Sequence, residues 1–258
     1  MSRYYRGYYG GRPTHTVIGG GGLSRAIKMI LIICGVVYVL QTLGGSAFRV
    51  SLITSFGLTP AAVTRSLAVW QLVTYIFLHG GFFHILFNMF ALWMFGTELE
   101  RMWGTREFVR FFFICGIGAG VSSVLVSPSS TIPIIGASGS IYGILLAYGL
   151  LFPNRELLLI PFMIPVKVKY YVMFIGGMAF LASLSGGSGG GVAHVAHLGG
   201  MIFAYFYLKR GRTGYTLKLR EVYDAWKRER LRRKFEVYYN RRQGEQDRDN
   251  KDGPGWKN

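Results

Sequence analysis

A chain of 258 residues that is 51% hydrophobic and only 16% charged, with a mean hydropathy of +0.32, is unlike an ordinary soluble domain of this length. The formal net charge is +17, but about half of that excess follows Leu208, so nucleic acid is not expected as a partner. Two cysteines, Cys34 and Cys115, both in apolar runs, exclude a disulfide or metal framework and read as buried packing residues.

The first 22 residues, MSRYYRGYYGGRPTHTVIGGGG, are rich in Gly, Tyr and Arg without apolar periodicity. Segment 1–24 is therefore expected to be a disordered basic start. Four charge-free runs follow: Met29 to Phe48, Ser66 to Thr97, Phe111 to Asn154 and Tyr170 to Leu208. A membrane-spanning helix needs roughly 20 apolar residues for a ~30 Å hydrocarbon core. The last two runs are broken by SPSSTIP (Ser127 to Pro133) and SGGSGGG (Ser185 to Gly191), which cannot continue a helix cheaply. Six spans are predicted, near 26–45, 72–96, 110–127, 138–152, 169–185 and 193–209. The expected fold class is an all-α membrane protein, a bundle of six transmembrane helices over 25–209 with a basic tail, 210–258. The first span is long and has no small-residue cleavage pattern, so it reads as a retained helix rather than a signal peptide.

Six spans put both ends on one side, and the charges choose which. All but two of the 29 Lys and Arg, and all 12 Asp and Glu, fall on the side of the termini; Arg49 and Arg65 alone lie opposite. The positive-inside rule makes both termini cytoplasmic. In the tail, Leu219, Val222, Tyr223 and Trp226 recur at helical spacing among basic residues. That segment reads as a solvated juxtamembrane helix or as an attachment to anionic membrane lipid. The glycine run between the last two spans is expected to move and open an entrance for substrate, or else to be a surface loop without a role.

Polar residues inside spans are expensive and point to function. The second span carries His79, His84 and Asn88, the last two at i and i+4 on one helical face; Ser138 heads the fourth; His194 and His197 open the sixth. Taken alone, Ser138 would cap a helix or bond a carbonyl. Neither histidine pair has a companion carboxylate and no HExxH occurs, so no metal is expected, and no cofactor. The soluble hydrolase elbow G-x-S-x-G fails because Ser140 stands where its second glycine belongs.

A histidine can take the proton of Ser138 Oγ only within roughly 3 Å, which requires closely approaching backbones. Gly139 and Gly143 on the fourth span, with Gly200 and Ala204 on the sixth, supply small faces for that approach. Tyr142, one turn below Ser138, is placed to stack on an imidazole. Asn88, His84 and the Ser138 amide are candidate donors to an oxyanion. With no Asp or Glu inside the spans, a Ser-His dyad is expected rather than a triad. Periodicity does not separate His194 from His197, three residues apart. Depth favours His197, about 6 Å into the span at 1.5 Å per residue, against about 1.5 Å for His194.

Three motifs then carry a resemblance: GASG at Gly136 to Gly139 with Tyr142 beyond, HILFN at His84 to Asn88, and AHLGG at Ala196 to Gly200. In this order, in the second, fourth and sixth spans, the chain resembles a rhomboid intramembrane serine protease over about 25–209. The resemblance implies Ser138 as nucleophile, His197 as general base, and an oxyanion hole of His84, Asn88 and the Ser138 amide, with His194 near the mouth of the site. It also implies substrates that are transmembrane proteins, cut near the outer face. Two rivals differ in class: an inactive rhomboid-like binder of transmembrane clients, and a proton-coupled transporter using the histidines, which lacks an inverted repeat. Trp70 is followed by Gln71 where the family often has Trp-Arg, and in GTELERMWG (Gly96 to Gly104) Glu100 reads as a structural carboxylate. The fourth helix, Ser138 to Phe152, would be about 22 Å long at 1.5 Å per residue, too short for the bilayer, so Ser138 would sit below the outer surface. The compact form is expected in a prokaryotic plasma membrane.

Overall fold

The computed structural model describes residues 22–159, 164–184 and 190–210, within one unit, Met1–Thr213. The expected disordered start up to residue 21, the glycine cluster at 185–189 and the basic tail from 211 lie outside the described residues.

The chain is mostly helical. In order come α1 (Arg25–Leu43), α2 (Gly45–Phe56), α3 (Pro60–Ser66), α4 (Gln71–Thr74) running into a 3₁₀ turn (Tyr75–Phe77), and α5 (Phe82–Ala91), which continues through a wide turn (Leu92–Gly96) into α6 (Thr97–Trp103). Then follow α7 (Thr105–Val126), α8 (Ser138–Leu151), a hairpin of β1 (Glu156–Leu159) and β2 (Ile164–Lys167), α9 (Val168–Leu184) and α10 (Gly190–Lys209). Among the described residues, Arg25–Leu43, Phe82–Trp103 and Thr105–Val126 are long and apolar enough to cross a membrane, and α8 and α9 are shorter apolar helices. Large apolar side chains point outward from α1, α9 and α10, among them Met29 at 62% and Met173 at 69% exposure. Such a surface would be a liability in water and is at home in lipid.

Three features correct the predicted elements. The all-α reading gives way at Glu156–Lys167, where β1 and β2 pair antiparallel with Glu156 opposite Lys167. The segment is too short for a span, and Pro161 and Pro165 bar a helix; an edge strand tolerates Pro165. The continuous helix expected over 72–96 is interrupted at Leu78–Gly81, where Leu78 turns extended and two glycines follow. The chain also forms α2 and α3 where only a loop was foreseen; none of the residues of α2 is buried, so no apolar periodicity marks it.

Gln71, on α4, ties this segment together. Its Oε1 accepts the Thr59 N–H at 3.0 Å and its Nε2 donates to the carbonyls of Thr54 (3.3 Å) and Ser55 (3.4 Å), while Trp70 Nε1 donates to Ser55 O at 2.9 Å. At the opposite end, Glu100 collects the N–H groups of Ala26 (2.9 Å) and Ile27 (3.1 Å) and the hydroxyls of Thr105 (2.8 Å) and Ser24. The carboxylate thereby serves orphan donors at the start of α1 and faces the positive end of its dipole.

The central helix is α8, whose 14 residues are apolar or small on every face. It packs on α7, α9 and α10. Ser140, between the glycines, donates to Phe112 O on α7 at 2.8 Å and is structural. At the far end from Ser138, Tyr148 donates to Glu98 at 2.8 Å, and Arg155 bonds both Glu98 and Tyr148 while its guanidinium lies 4.5 Å over the Phe152 ring. The packing of α10 is closer still. A Cβ on Gly200 would overlap the carbonyl of Gly139, and one on Gly143 would meet Cys115 Sγ at 2.6 Å and Gly200 O at 3.1 Å. Because the obstacle at Gly200 is backbone, Gly200→Ala should destabilise the protein by about 1–3 kcal/mol and force α8 and α10 apart. Thermal unfolding in detergent should show a lowered Tm, whereas Gly177→Ala, whose Cβ would meet nothing within 4 Å, should not. Equal Tm values for the two variants would contradict this contact.

Candidate active site

Ser138 is the first residue of α8, after a tight approach through Gly136 and Ala137. Gly136 has φ +118, which side chains rarely adopt, and its N–H donates to Tyr75 O at 2.9 Å. A Cβ there would stand 2.7 Å from His84 Nε2. Glycine at this position thus serves both the backbone turn and the room needed by the imidazole. The start of α8 is thereby held beside α5, with the first amides of the helix, that of Ser138 among them, lacking intrahelical partners.

His197, on α10, places Nε2 2.8 Å from Ser138 Oγ. Its ring lies parallel to that of Tyr142, with centroids 4.2 Å apart and planes 2° from parallel. The opposite ring nitrogen, Nδ1, is buried and meets no protein hydrogen-bond partner among the described residues. Orientation of the ring therefore comes from the aromatic stack and from the close seating of α10, not from a carboxylate. His194 stands edge-on to His197 at 5.8 Å.

His84 is half-buried at the start of α5. Its Nδ1 accepts the Gly80 N–H at 3.1 Å, so the neutral ring carries its proton on Nε2, the nitrogen facing Gly136. Asn88, one turn on and buried, donates one N–H of its amide to His84 O at 2.7 Å. The amide's second N–H is left for another acceptor. His79, fully buried, meets the His84 ring edge-on at 5.2 Å. Among the described residues no group of three or more His, Cys, Asp or Glu side chains is arranged to hold a metal ion.

The structure thus brings Ser138, His197, Tyr142 and His194 into one contiguous group, with His84 and Asn88 joined to it through Gly136. Sequence reasoning passed over Tyr75 and Gly80, which act through the backbone. Tyr75 also donates its hydroxyl to Gly116 O at 2.7 Å and lies against Gly139. The spacing of Gly80 four residues before His84 was the available signal for the second.

A multi-pass helical membrane protein with a serine and a histidine paired in its interior is the class these features define. A family-wide pattern described as the Rhomboid domain matches residues 66–211, more than half of the chain. The chain belongs to the rhomboid family. It is similar to the rhomboid protease GluP of Bacillus subtilis (strain 168), 31% identical over 201 residues that make up 77% of this chain and 35% of the relative. It is 33% identical to Rhomboid protein 1, mitochondrial, of Saccharomyces cerevisiae over 51% of this chain and 38% of that protein. Similarity to the putative rhomboid protease YdcA of Bacillus subtilis is 37% over 31% of this chain and 39% of that one. The matched regions therefore span less than half the length of each of these relatives.

Proposed function

We propose that this protein is a serine endopeptidase that cleaves transmembrane proteins within the membrane, near its outer face. The 2.8 Å approach of His197 Nε2 to Ser138 Oγ carries the reading. In it, Ser138 Oγ attacks the scissile carbonyl carbon while its proton passes to His197 Nε2; the C–N bond then breaks and the same proton goes to the leaving amine. Water, deprotonated by His197, releases the acyl group and restores Ser138. His84 Nε2–H, the free N–H of Asn88 and the Ser138 amide donate to the oxyanion.

Six spans with both termini cytoplasmic accommodate this chemistry. Arg155, at the opposite end of α8 from Ser138, belongs to the charged, cytoplasmic side, so Ser138 faces outward. Fourteen residues of helix cover about 21 Å at 1.5 Å per residue. That is roughly 9 Å less than the hydrocarbon thickness, which sinks the serine below the surface. The prokaryotic plasma membrane is the setting in keeping with the two Bacillus relatives.

Purified protein in liposomes, given a model transmembrane substrate, should release one product cut in the outer half of the substrate helix. A client binder would retain the substrate uncut, and a transporter would move protons without product. Asn88→Ala should lower kcat by about 10²-fold, leaving measurable turnover because two donors remain. An unchanged kcat would remove Asn88 from the oxyanion hole.

A further inference from the structure

We propose that Arg49, on the outer helix α2, is a positioning residue for His84. The guanidinium holds the Gly80 carbonyl, and through it the Gly80 N–H that fixes the tautomer of His84. The inference rests on the protease reading for its consequence in catalysis, and on the structure alone for the tautomer.

Gly80 and Gly81 separate the 3₁₀ turn from α5. Side chains pack them on one side only: a Cβ on Gly81 would meet nothing within 4 Å, and one on Gly80 would be 3.6 Å from His84 Nδ1 and 3.7 Å from Ile135 Cδ1. Two adjacent glycines have the most backbone freedom to lose on ordering. Hydrogen bonds do the ordering. The His79 N–H donates to Gln41 Oε1 at 3.1 Å, Arg49 Nη2 donates to the Gly80 carbonyl, and the Gly80 N–H donates to His84 Nδ1 at 3.1 Å. Gln41 belongs to α1 and Arg49 to α2, so the segment before α5 is held from the outer side at two points.

The chemistry of His84 depends on the third of these bonds. While Gly80 donates to Nδ1, the imidazole proton stays on Nε2, which faces Gly136 and can donate to an oxyanion. Once the carbonyl of Gly80 is released, the diglycine swings and Nδ1 loses its donor. His84 then also samples the tautomer whose Nε2 presents a lone pair, which repels the developing negative charge. Arg49 is one of only two basic residues on the outer side of the predicted spans, and its bond is charge-assisted. It is half-buried and outside the reacting pair, so its truncation leaves the fold in place.

A double-mutant cycle in the full-length protein in liposomes tests this. Both kcat and KM for a model transmembrane substrate, and the rate of fluorophosphonate labelling of Ser138, would be compared for wild type, Arg49→Ala, Arg49→Lys, His84→Ala and the Arg49→Ala/His84→Ala pair. Arg49→Ala should lower kcat and labelling about tenfold, short of the 10²-fold that a 1 Å misplacement brings, with KM within about twofold. Arg49→Lys should recover most of the loss. In the His84→Ala background the same Arg49 substitution should change labelling by less than about twofold, because its target is gone. Equal losses in both backgrounds, or no loss in either, would overturn the proposal. Histidine ¹⁵N spectra, with His84 assigned by its disappearance in His84→Ala, should show a hydrogen-bonded, unprotonated Nδ1 in wild type and a tautomer mixture in Arg49→Ala. Unchanged spectra would likewise count against it. If Ser138 of the wild type neither cleaves nor labels, the protease reading fails, and the spectra alone still decide whether Arg49 holds the tautomer.

Discussion

Ser138→Ala should abolish cleavage of a transmembrane substrate, turnover falling by about 10⁴-fold or more, while the protein remains folded in detergent. The two halves of this result have separate causes. Catalysis is lost because no other hydroxyl near His197 takes over: Ser140, two residues on, already donates to Phe112 O on α7. Stability is kept because the Ser138 hydroxyl makes one side-chain bond, to His197, worth about 1 kcal/mol net. Ser138 is also not the residue that caps α8, which Ala137 does without a side-chain bond, and alanine is well suited to a first helical turn. In a protein of this size 1 kcal/mol moves Tm by about 2–4 °C. Gel-resolved cleavage in proteoliposomes, fluorophosphonate labelling and a thermal scan together check the outcome. Cleavage by Ser138→Ala above background would show that the nucleophile lies elsewhere.

Legibility followed length and periodicity. The start of α8 at Ser138 and its end beside Phe152 could be read because a glycine-rich head and Pro153 bracket an unbroken apolar run. The break at Leu78–Gly81 could not, since Leu78, Gly80 and Gly81 are as apolar as the spans beside them; what opens the helix is the capture of backbone groups by Gln41 and Arg49 from elsewhere in the chain. For the same reason the sequence shows the departure at Gln71 but not the role of its amide. Its replacement of the family's arginine looks like a loss in one dimension, yet the amide meets three backbone groups at once. Small residues at the α8 and α10 contact were visible as spacing, whereas the overlap at Gly139 and Gly200 is a property of the packed pair. Side-chain identities thus revealed which groups are unusual for a membrane, and only tertiary contacts revealed which backbone groups hold them.

His197→Ala should abolish cleavage, and His194→Ala should weaken it only in part. Both histidines face the same side of α10, and spacing alone leaves the choice between them open. The geometry of the helix pair favours His197: Ser138 Oγ lies 2.8 Å from His197 Nε2, and Tyr142 stacks on the His197 ring. His194 instead meets His197 edge-on at 5.8 Å, where it can tune the base without receiving the serine's proton. Losing the base should cost about 10³-fold or more in kcat, together with fluorophosphonate labelling, because Ser138 is then left protonated. Losing His194 removes one ring contact and should cost about tenfold or less, since orientation by Tyr142 persists. Both variants need a thermal scan, because truncating His197 also removes the stack. The reverse ranking in two folded variants would require α10 to shift by about one turn, 5.4 Å along its axis. Such a shift would carry Gly200 away from the Gly139 carbonyl, and Gly200→Ala would then be harmless; the histidine ranking and the glycine substitution must therefore stand or fall together.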